Sequence, residues 1–311
     1  MDGITLTREL QEILDETSGS SYLDSKSTYD YLYEAAIQTV ARTDALTTTQ
    51  TITTVASQTD YYLNADFIKL YLMDDQNKHF IKYYDTSNYY FVYPNSYDSI
   101  VLGNNTTSQS IPNAFCIRPG AAIAQKTGTA TASGAATNGL CTLTDSAANF
   151  TTANINAGDF ISNITDGSHG VVVSVTSANA LVCALFGGTD NDWTTTIDSY
   201  SITPQARFYL TLDPPSLTSS HTITVYYVPK PAPVYSPYHG YKIPLSFKGA
   251  LVKYAAWLYK YRDREPSYGD AWFKYWDATV RELGRNLKSG MDKGGFGVNL
   301  KVRASRGGSY R

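Results

Sequence analysis

Apolar residues at the two ends of the chain recur three and four positions apart. In "TLTRELQEILDE", Leu6, Leu10, Ile13 and Leu14 share one face. In "DSKSTYDYLYEAAIQTVARTDAL", Leu32, Tyr33, Ala36, Ile37 and Val40 keep the same spacing. That period predicts amphipathic helices, the second over 28–45. Ser27 with Asp30 three residues on is a variant of the capping box that opens a helix. Near the other end, Phe247, Leu251, Tyr254, Ala255 and Leu258 form a stripe that Pro266 is expected to end. Trp272, Trp276, Val280, Leu283 and Leu287 form another, with Gly290 as a plausible stop. These four segments are expected to pack as one helical core. A ligand platform is the competing reading of the Trp and Tyr stripe.

Between the ends the period changes from about four to two. "TTTQTITTVASQTDYYLNADFIKLYLMDD", "HFIKYYDTSNYYFVYP" and "YDSIVLG" are rich in Thr, Tyr, Ile and Val, with turn residues between them, which is strand chemistry. Phe208 to Leu212 and Ile223 to Val228 flank a Pro-Ser-Thr turn and read as a hairpin, stopped by a proline-rich exit. Residues 120–203 have a texture of their own. A small-residue entry, "GAAIAQKTGTATASGAATNG", precedes short strands in "CTLTDSAANF", "GDFISNIT", "GVVVSVTSANALVCALF" and "DSYSI". A segment of that size makes a small barrel or sandwich with a marginal core. The expected fold is therefore α+β: a helical core from the N- and C-terminal helices, a β-sheet segment, and an inserted small all-β domain. The core would span 1–119 and 204–290, the insert 120–203, and an arm 291–311. In that arm Val298, Leu300, Val302 and Ala304 alternate with Asn299, Lys301 and Arg303, the pattern of a strand lacking a partner in its own chain. A solvated tail is the competing reading.

Composition sharpens this picture at three points. Tyrosine is in excess, 26 against 11 Phe and 4 Trp. Its apolar ring and polar tip suit strands and also surfaces that are wet in one state and buried in another. The net charge of −3 argues against bulk nucleic-acid binding. From Arg281 onward, however, eight basic residues face two acidic ones, a local charge of +6 that includes Arg306. Cys116, Cys141 and Cys183 have neither disulfide-framework nor metal-ligand spacing. No signal peptide is evident, and no run approaches the roughly 18 apolar residues of a membrane span. The expectation is a soluble protein made inside the cell.

Candidate chemistry is sparse. The four histidines, His79, His169, His221 and His239, stand far from one another and from any Cys. His169 and His221 read as exposed turn residues. There is no nucleophile elbow, P-loop or dinucleotide fingerprint. "TDNDW" at 189–193, with Asp159 and Asp166, lacks the regular oxygen-ligand spacing of a calcium loop. The expectation is no catalytic residue, no cofactor and no metal.

The order of parts has a likeness. "STYDYLYEAAIQTVART", then "ASQTDYYLNADFIKLYLM", "FYLTLDPPSLTSSHTITVYYVPKPAPV" and "IPLSFKGALVKYAAWLYKYRDREP" with a final helix resemble the tail adaptors (head-to-tail connectors) of tailed bacteriophages. The likeness covers 1–119 and 204–290 and rests on order and texture. The insert, through "GDFISNITDGSHGVVVSV" and "GGTDNDW", resembles a β-module that recurs as a decoration in phage structural proteins. The resemblance implies a non-enzymatic virion protein, assembled in the host cytoplasm and residing in the neck. It would form a ring, twelve copies in the family's usual pattern, under the portal protein, with tail nozzle or fibre proteins below. DNA would pass the lumen without sequence-specific binding, and no membrane would be involved. The docking arm to the portal would use Val298, Leu300, Lys301, Val302, Arg303 and Arg306. Helical core or subunit packing would use Leu32, Ile37, Val40, Leu251, Tyr254, Leu258, Trp272, Trp276, Val280 and Leu283. Two other classes compete: a carbohydrate- or receptor-binding tail protein using the Tyr-rich strands 83–97 as a sugar platform, and a hydrolase built from distant carboxylates.

Overall fold

The computed structural model describes residues 1–15, 25–71, 80–101, 110–120, 122–235, 237, 239–262 and 266–291. The chain opens with α1 (Gly3–Leu14) and α2 (Ser25–Thr43). Six strands follow: β1 (Thr48–Thr53), β2 (Asp60–Tyr62), β3 (Phe67–Leu70), β4 (Ile81–Tyr84), β5 (Tyr89–Pro94) and β6 (Ala114–Pro119), with the short α3 (Tyr97–Val101) before the last. Next come β7 (Lys126–Thr129), β8 (Cys141–Thr144), β9 (Phe160–Asn163), β10 (His169–Ser177), β11 (Ala180–Phe186) and β12 (Ser199–Thr203). Then come β13 (Phe208–Asp213) and β14 (Thr222–Pro229), and finally α4 (Lys248–Arg262) and α5 (Pro266–Met291).

The expected α+β fold on a helical core is overturned, because the chain is mostly β. Its fourteen strands form an eight-stranded and a six-stranded sheet. The helices do not enclose a core of their own. Their apolar cluster takes in Val228 of β14 and, from the connection beyond it, Val234, Tyr241 and Ile243. The physical reason is visible in α2, whose inward face is largely Ala35, Ala36 and two threonines, Thr39 and Thr43, all fully buried. Such small side chains let elements approach closely but supply little apolar area.

The eight-stranded sheet runs β1-β14-β4-β5-β6-β13-β2, with β3 also on β14. Every pairing is antiparallel except β5 with β6. The hairpin expected from Phe208–Leu212 and Ile223–Val228 does not form. Instead β13 lies between β6 and β2, while β14 lies between β1 on one side and β3 and β4 on the other. Both runs are apolar enough to be central strands, so each takes partners on two edges, and the Pro214–Pro215 connection carries the chain across. Inside are Tyr61, Leu63, Phe67, Ile81, Tyr83 and Phe115 with their neighbours. At the open ends of the sheet, Gln50 of β1 donates from Nε2 to the Tyr62 carbonyl at 3.0 Å and accepts from the Asn64 N–H at 3.0 Å. One side-chain amide thus spans the seam as a ladder bond would.

The six-stranded sheet, β7-β12-β9-β10-β11-β8, is built wholly from residues 126–203. The chain beyond β7 turns back to β8: Thr131 N–H donates to the Thr144 carbonyl at 2.7 Å, and Ala132 bridges Thr144. This closes the sheet around Phe150, Trp193, Tyr200 and Ile202. The buried Tyr200 hydroxyl is paired there, as a low-dielectric interior demands: it donates to Asp145 Oδ2 at 2.7 Å.

Local boundaries differ modestly from the sequence reading. Helix α2 begins at Ser25, so Ser27 lies inside its first turn. Pro266 opens α5, the position where its missing N–H has no helical partner to lose, and Gly290 lies inside α5, one residue from its described end.

Candidate functional site

The residues expected to pack the helices divide three ways. Leu32, Val40, Leu251, Tyr254, Trp276 and Val280 are buried in the cluster beneath α1, α2, α4 and α5. Leu258, Trp272 and Leu283 are partly buried against it. Ile37 is half-buried and outside it. Thr39 anchors the Trp276 ring, whose Nε1–H donates to the threonine hydroxyl at 3.2 Å, and the Arg42 guanidinium lies 5.2 Å over the same ring. The docking-arm residues Val298, Leu300, Lys301, Val302, Arg303 and Arg306 lie outside the described residues, as does His79.

The two sheets meet at a joint that the sequence did not announce. Arg207, just before β13, forms a two-pronged pair with Asp159, just before β9: Nη1 to Oδ1 at 2.7 Å and Nη2 to Oδ2 at 2.6 Å. Both side chains are 0% exposed. Backbone N–H groups of Asn156 and Gln205 complete the Asp159 carboxylate at 2.9 and 3.0 Å. Gln205 also donates to the Gly158 carbonyl and accepts from Lys230 Nζ at 2.9 Å. Gly158, at φ +94°, passes against the backbone of Ala65 and Asp66, where a side chain would be strained. On the helical side, Phe186 at the end of β11 stacks on Tyr235 with centroids 5.7 Å apart and meets Tyr29 of α2 edge-on at 5.7 Å. The signal in the sequence was Arg207 itself, a lone cation opening an apolar strand.

A cleft of about 470 Å³ opens beside this joint, lined among others by Tyr33, Asp66, Val172, Lys230, His239 and Lys242. Burial raises the Asp66 carboxyl above its ordinary value and lowers the Lys230 ammonium; burial and then nearby Lys242 lower the His239 imidazole. Tyr33 is pushed up to about 12, mainly by burial.

Two aromatic surfaces face outward. On the β4–β5 hairpin, Ile81, Tyr83 and Val92 point inward, leaving Tyr89 68% and Tyr93 51% exposed. Tyr84 and Tyr89 stack at 4.6 Å, and Lys82 lies 5.9 Å from the Phe91 ring. On the helical layer, Tyr261, Tyr268 and Tyr275 are about half exposed or more. Trp272 joins the last two, edge-on at 6.2 and 6.1 Å.

The histidines are not all turn residues. His221 is only partly exposed, and its Nδ1 meets the buried Tyr83 hydroxyl at 2.5 Å, which also pairs with Ser216 Oγ at 2.8 Å. His169, exposed, opens β10. Cys141 and Cys183 sit opposite each other on β8 and β11 with Sγ atoms 3.4 Å apart. Among the described residues, no group of three or more His, Cys, Asp or Glu side chains is arranged to hold a metal ion, and no helix is long and apolar enough to cross a membrane. No protein-family model matches the chain, and no curated protein matches it.

Proposed function

We propose that the protein is a ring-forming, non-enzymatic virion adaptor that joins a portal to a tail and lets DNA pass through its lumen. The observation that carries the reading is the pair of exposed aromatic surfaces on different elements, Tyr89 and Tyr93 on β5 and Tyr261, Tyr268 and Tyr275 on α4 and α5. A ring contact is heterologous: each subunit presents one patch to its left neighbour and a different patch to its right. Tyrosine and tryptophan at such patches supply area when buried and tolerate water before assembly. The order of parts along the chain, resembling tail adaptors, agrees with this. In the same reading, the segment 291–311 reaches the portal, with Leu300 and Val302 as its apolar face. The test is light scattering on purified protein carrying Tyr268→Glu and Tyr275→Glu. Both side chains are exposed, so melting should hold while oligomers fall to monomers; oligomers that persist would sink the assignment of that surface.

One observation favours a second reading. The stacked Tyr84–Tyr89 pair beside Phe91 makes a flat aromatic face of the kind sugars lie on. Glycan-array binding by monomeric protein, lost in Tyr89→Ala, would favour a carbohydrate- or receptor-binding tail protein.

A further inference from the structure

The proline-rich exit of β14 does more than stop a strand. In "VPKPAPV", Pro229, Pro231 and Pro233 have fixed φ angles and no N–H, so the chain leaves the sheet as a stiff wall. Lys230, between the first two, is held by its N–H, which donates to the Asp66 carbonyl at 2.6 Å. Farther on, the His239 carbonyl accepts from Gly3 N–H at 2.8 Å, and the Tyr241 carbonyl accepts from the Met1 ammonium at 3.1 Å. These bonds fix the stretch that carries His239 and Lys242. Another wall comes from the insert: Val171 to Val173 of β10, with Gly158 N–H donating to the Val172 carbonyl at 2.7 Å. With Tyr33 of α2 and Leu140, these segments line the cleft of about 470 Å³ beside the joint. That volume is in the range of small-molecule sites, which favour the boundaries between packed units.

The lining is mainly apolar, through Leu46, Leu140, Val172, Pro229 and Pro231, with a few polar groups set among them. Two are ammonium groups, Lys230 and Lys242, against one carboxylate, Asp66. The carboxylate is already engaged, since its Oδ1 accepts from the Tyr227 hydroxyl at 2.8 Å. Lys230 uses one of its N–H donors on Gln205 Oε1, at 2.9 Å, and keeps the others. Among the described residues, the side chains of Tyr33, His239 and Lys242 take part in no hydrogen bond or ion pair. Burial, and then Lys242, lower the His239 imidazole, so it is neutral at neutral pH and retains one ring N–H to donate. The cleft therefore offers more donors than acceptors and one more cation than anion. A single carboxylate matches both the charge and the donors. A phosphate dianion would overshoot the charge and meet Asp66. The apolar walls call for an organic body behind the charged group.

We propose that this cleft binds a small organic monocarboxylate, its apolar body against β10 and the prolines and its carboxylate on Lys242, Lys230 and the Tyr33 hydroxyl. The site draws on three parts of the fold: Tyr33 on α2, Lys230 just beyond β14, and Val172 on β10. A bound acid would clamp the insert to the eight-stranded sheet and the helical layer, adding to the hold of the Arg207–Asp159 pair. The inference is independent of the adaptor reading, because every lining residue belongs to one chain.

The experiment is saturation-transfer NMR and calorimetric titration of the full-length protein with sodium hexanoate, at neutral pH and low salt. Acetate, hexanol and inorganic phosphate are run beside it: acetate has the charge without the body, hexanol the body without the charge. The expected result is a hexanoate Kd on the order of 10⁻³ M, with acetate and hexanol at least about tenfold weaker. The melting temperature should rise with hexanoate, as for any ligand of the native state. Lys242→Gln should weaken hexanoate by about tenfold, the loss expected for one charge-assisted hydrogen bond. Tyr33→Phe should weaken it as well without lowering the melting temperature, since that hydroxyl has no hydrogen bond to lose. Lys274→Gln, at an exposed position of α5, should change neither. No hexanoate binding at about ten times the expected Kd, or an affinity no better than that of acetate or hexanol, would overturn the proposal. So would hexanoate affinity unchanged in both Lys242→Gln and Tyr33→Phe, or phosphate binding more tightly than hexanoate.

Discussion

The joint between the sheets supplies a prediction whose size follows from its geometry. Arg207 and Asp159 are both 0% exposed and make two short charge-assisted bonds. Removing one member of such a pair leaves the other charge buried, at a cost of about 3–5 kcal/mol. Arg207→Met strands Asp159, although the Asn156 and Gln205 N–H groups still solvate it, so the low end of that range is expected. Asp159→Leu leaves the guanidinium charge held only by the Gln205 and Asn154 carbonyls, with Nε already lacking a partner, and orphans those two N–H groups at about 1–3 kcal/mol each. It should be the worse of the two. In the double variant no charge is left to strand, and apolar replacement of a buried pair is often neutral. The double variant should therefore be more stable than the sum of the singles implies, by at least about 2 kcal/mol. Urea melts of the four proteins at neutral pH, paired with limited proteolysis at 120–124 and 204–206, measure this directly. Additivity within about 0.5 kcal/mol would refute the claim that this pair holds the insert to the rest of the chain.

Two further outcomes follow from buried titratable groups. Burial holds the Asp66 carboxyl above 3.8, against the pull of the Tyr227 hydroxyl. The native state then keeps its proton where the unfolded chain has released one, so this group's contribution lowers stability as pH rises from 3.8 through the folded pKa. Asp66→Asn should flatten that part of the pH–stability curve and leave neutral stability equal or higher; an unchanged slope would contradict the assignment. Cys116, Cys141 and Cys183 are buried, and burial raises the Cys116 thiol; the neighbouring Cys183 thiol and then burial raise Cys141. None of the three should react with a thiol reagent until denaturant is added. Rapid labelling of the native protein would show that the barrel interior opens.

Local periodicity made the elements readable and left their partners hidden. The stripe through Trp272, Trp276 and Val280 predicts a helix, and the Thr- and Tyr-rich runs predict strands, because each pattern is written in neighbouring residues. What β13 and β14 pair with is decided by strands that precede residue 120, so the tempting local hairpin was the wrong partner choice. The weight of the fold was misjudged for a related reason. Helical stripes are conspicuous in sequence, while short strands of mixed polarity are not, yet fourteen of the latter outweigh five helices among the described residues. The joint was illegible because Asp159 and Arg207 meet only after the chain has closed both sheets. His221 looked like a turn residue because nothing near it in sequence announces Tyr83.

The central claim is that this subunit assembles into a ring and docks on a portal. Negative-stain electron microscopy of the purified protein, alone and mixed with the portal protein encoded in the same genome, tests it most directly. The account predicts rings that form or dock on the portal, and that fail to dock when residues 291–311 are removed. A persistent monomer that ignores the portal would contradict it.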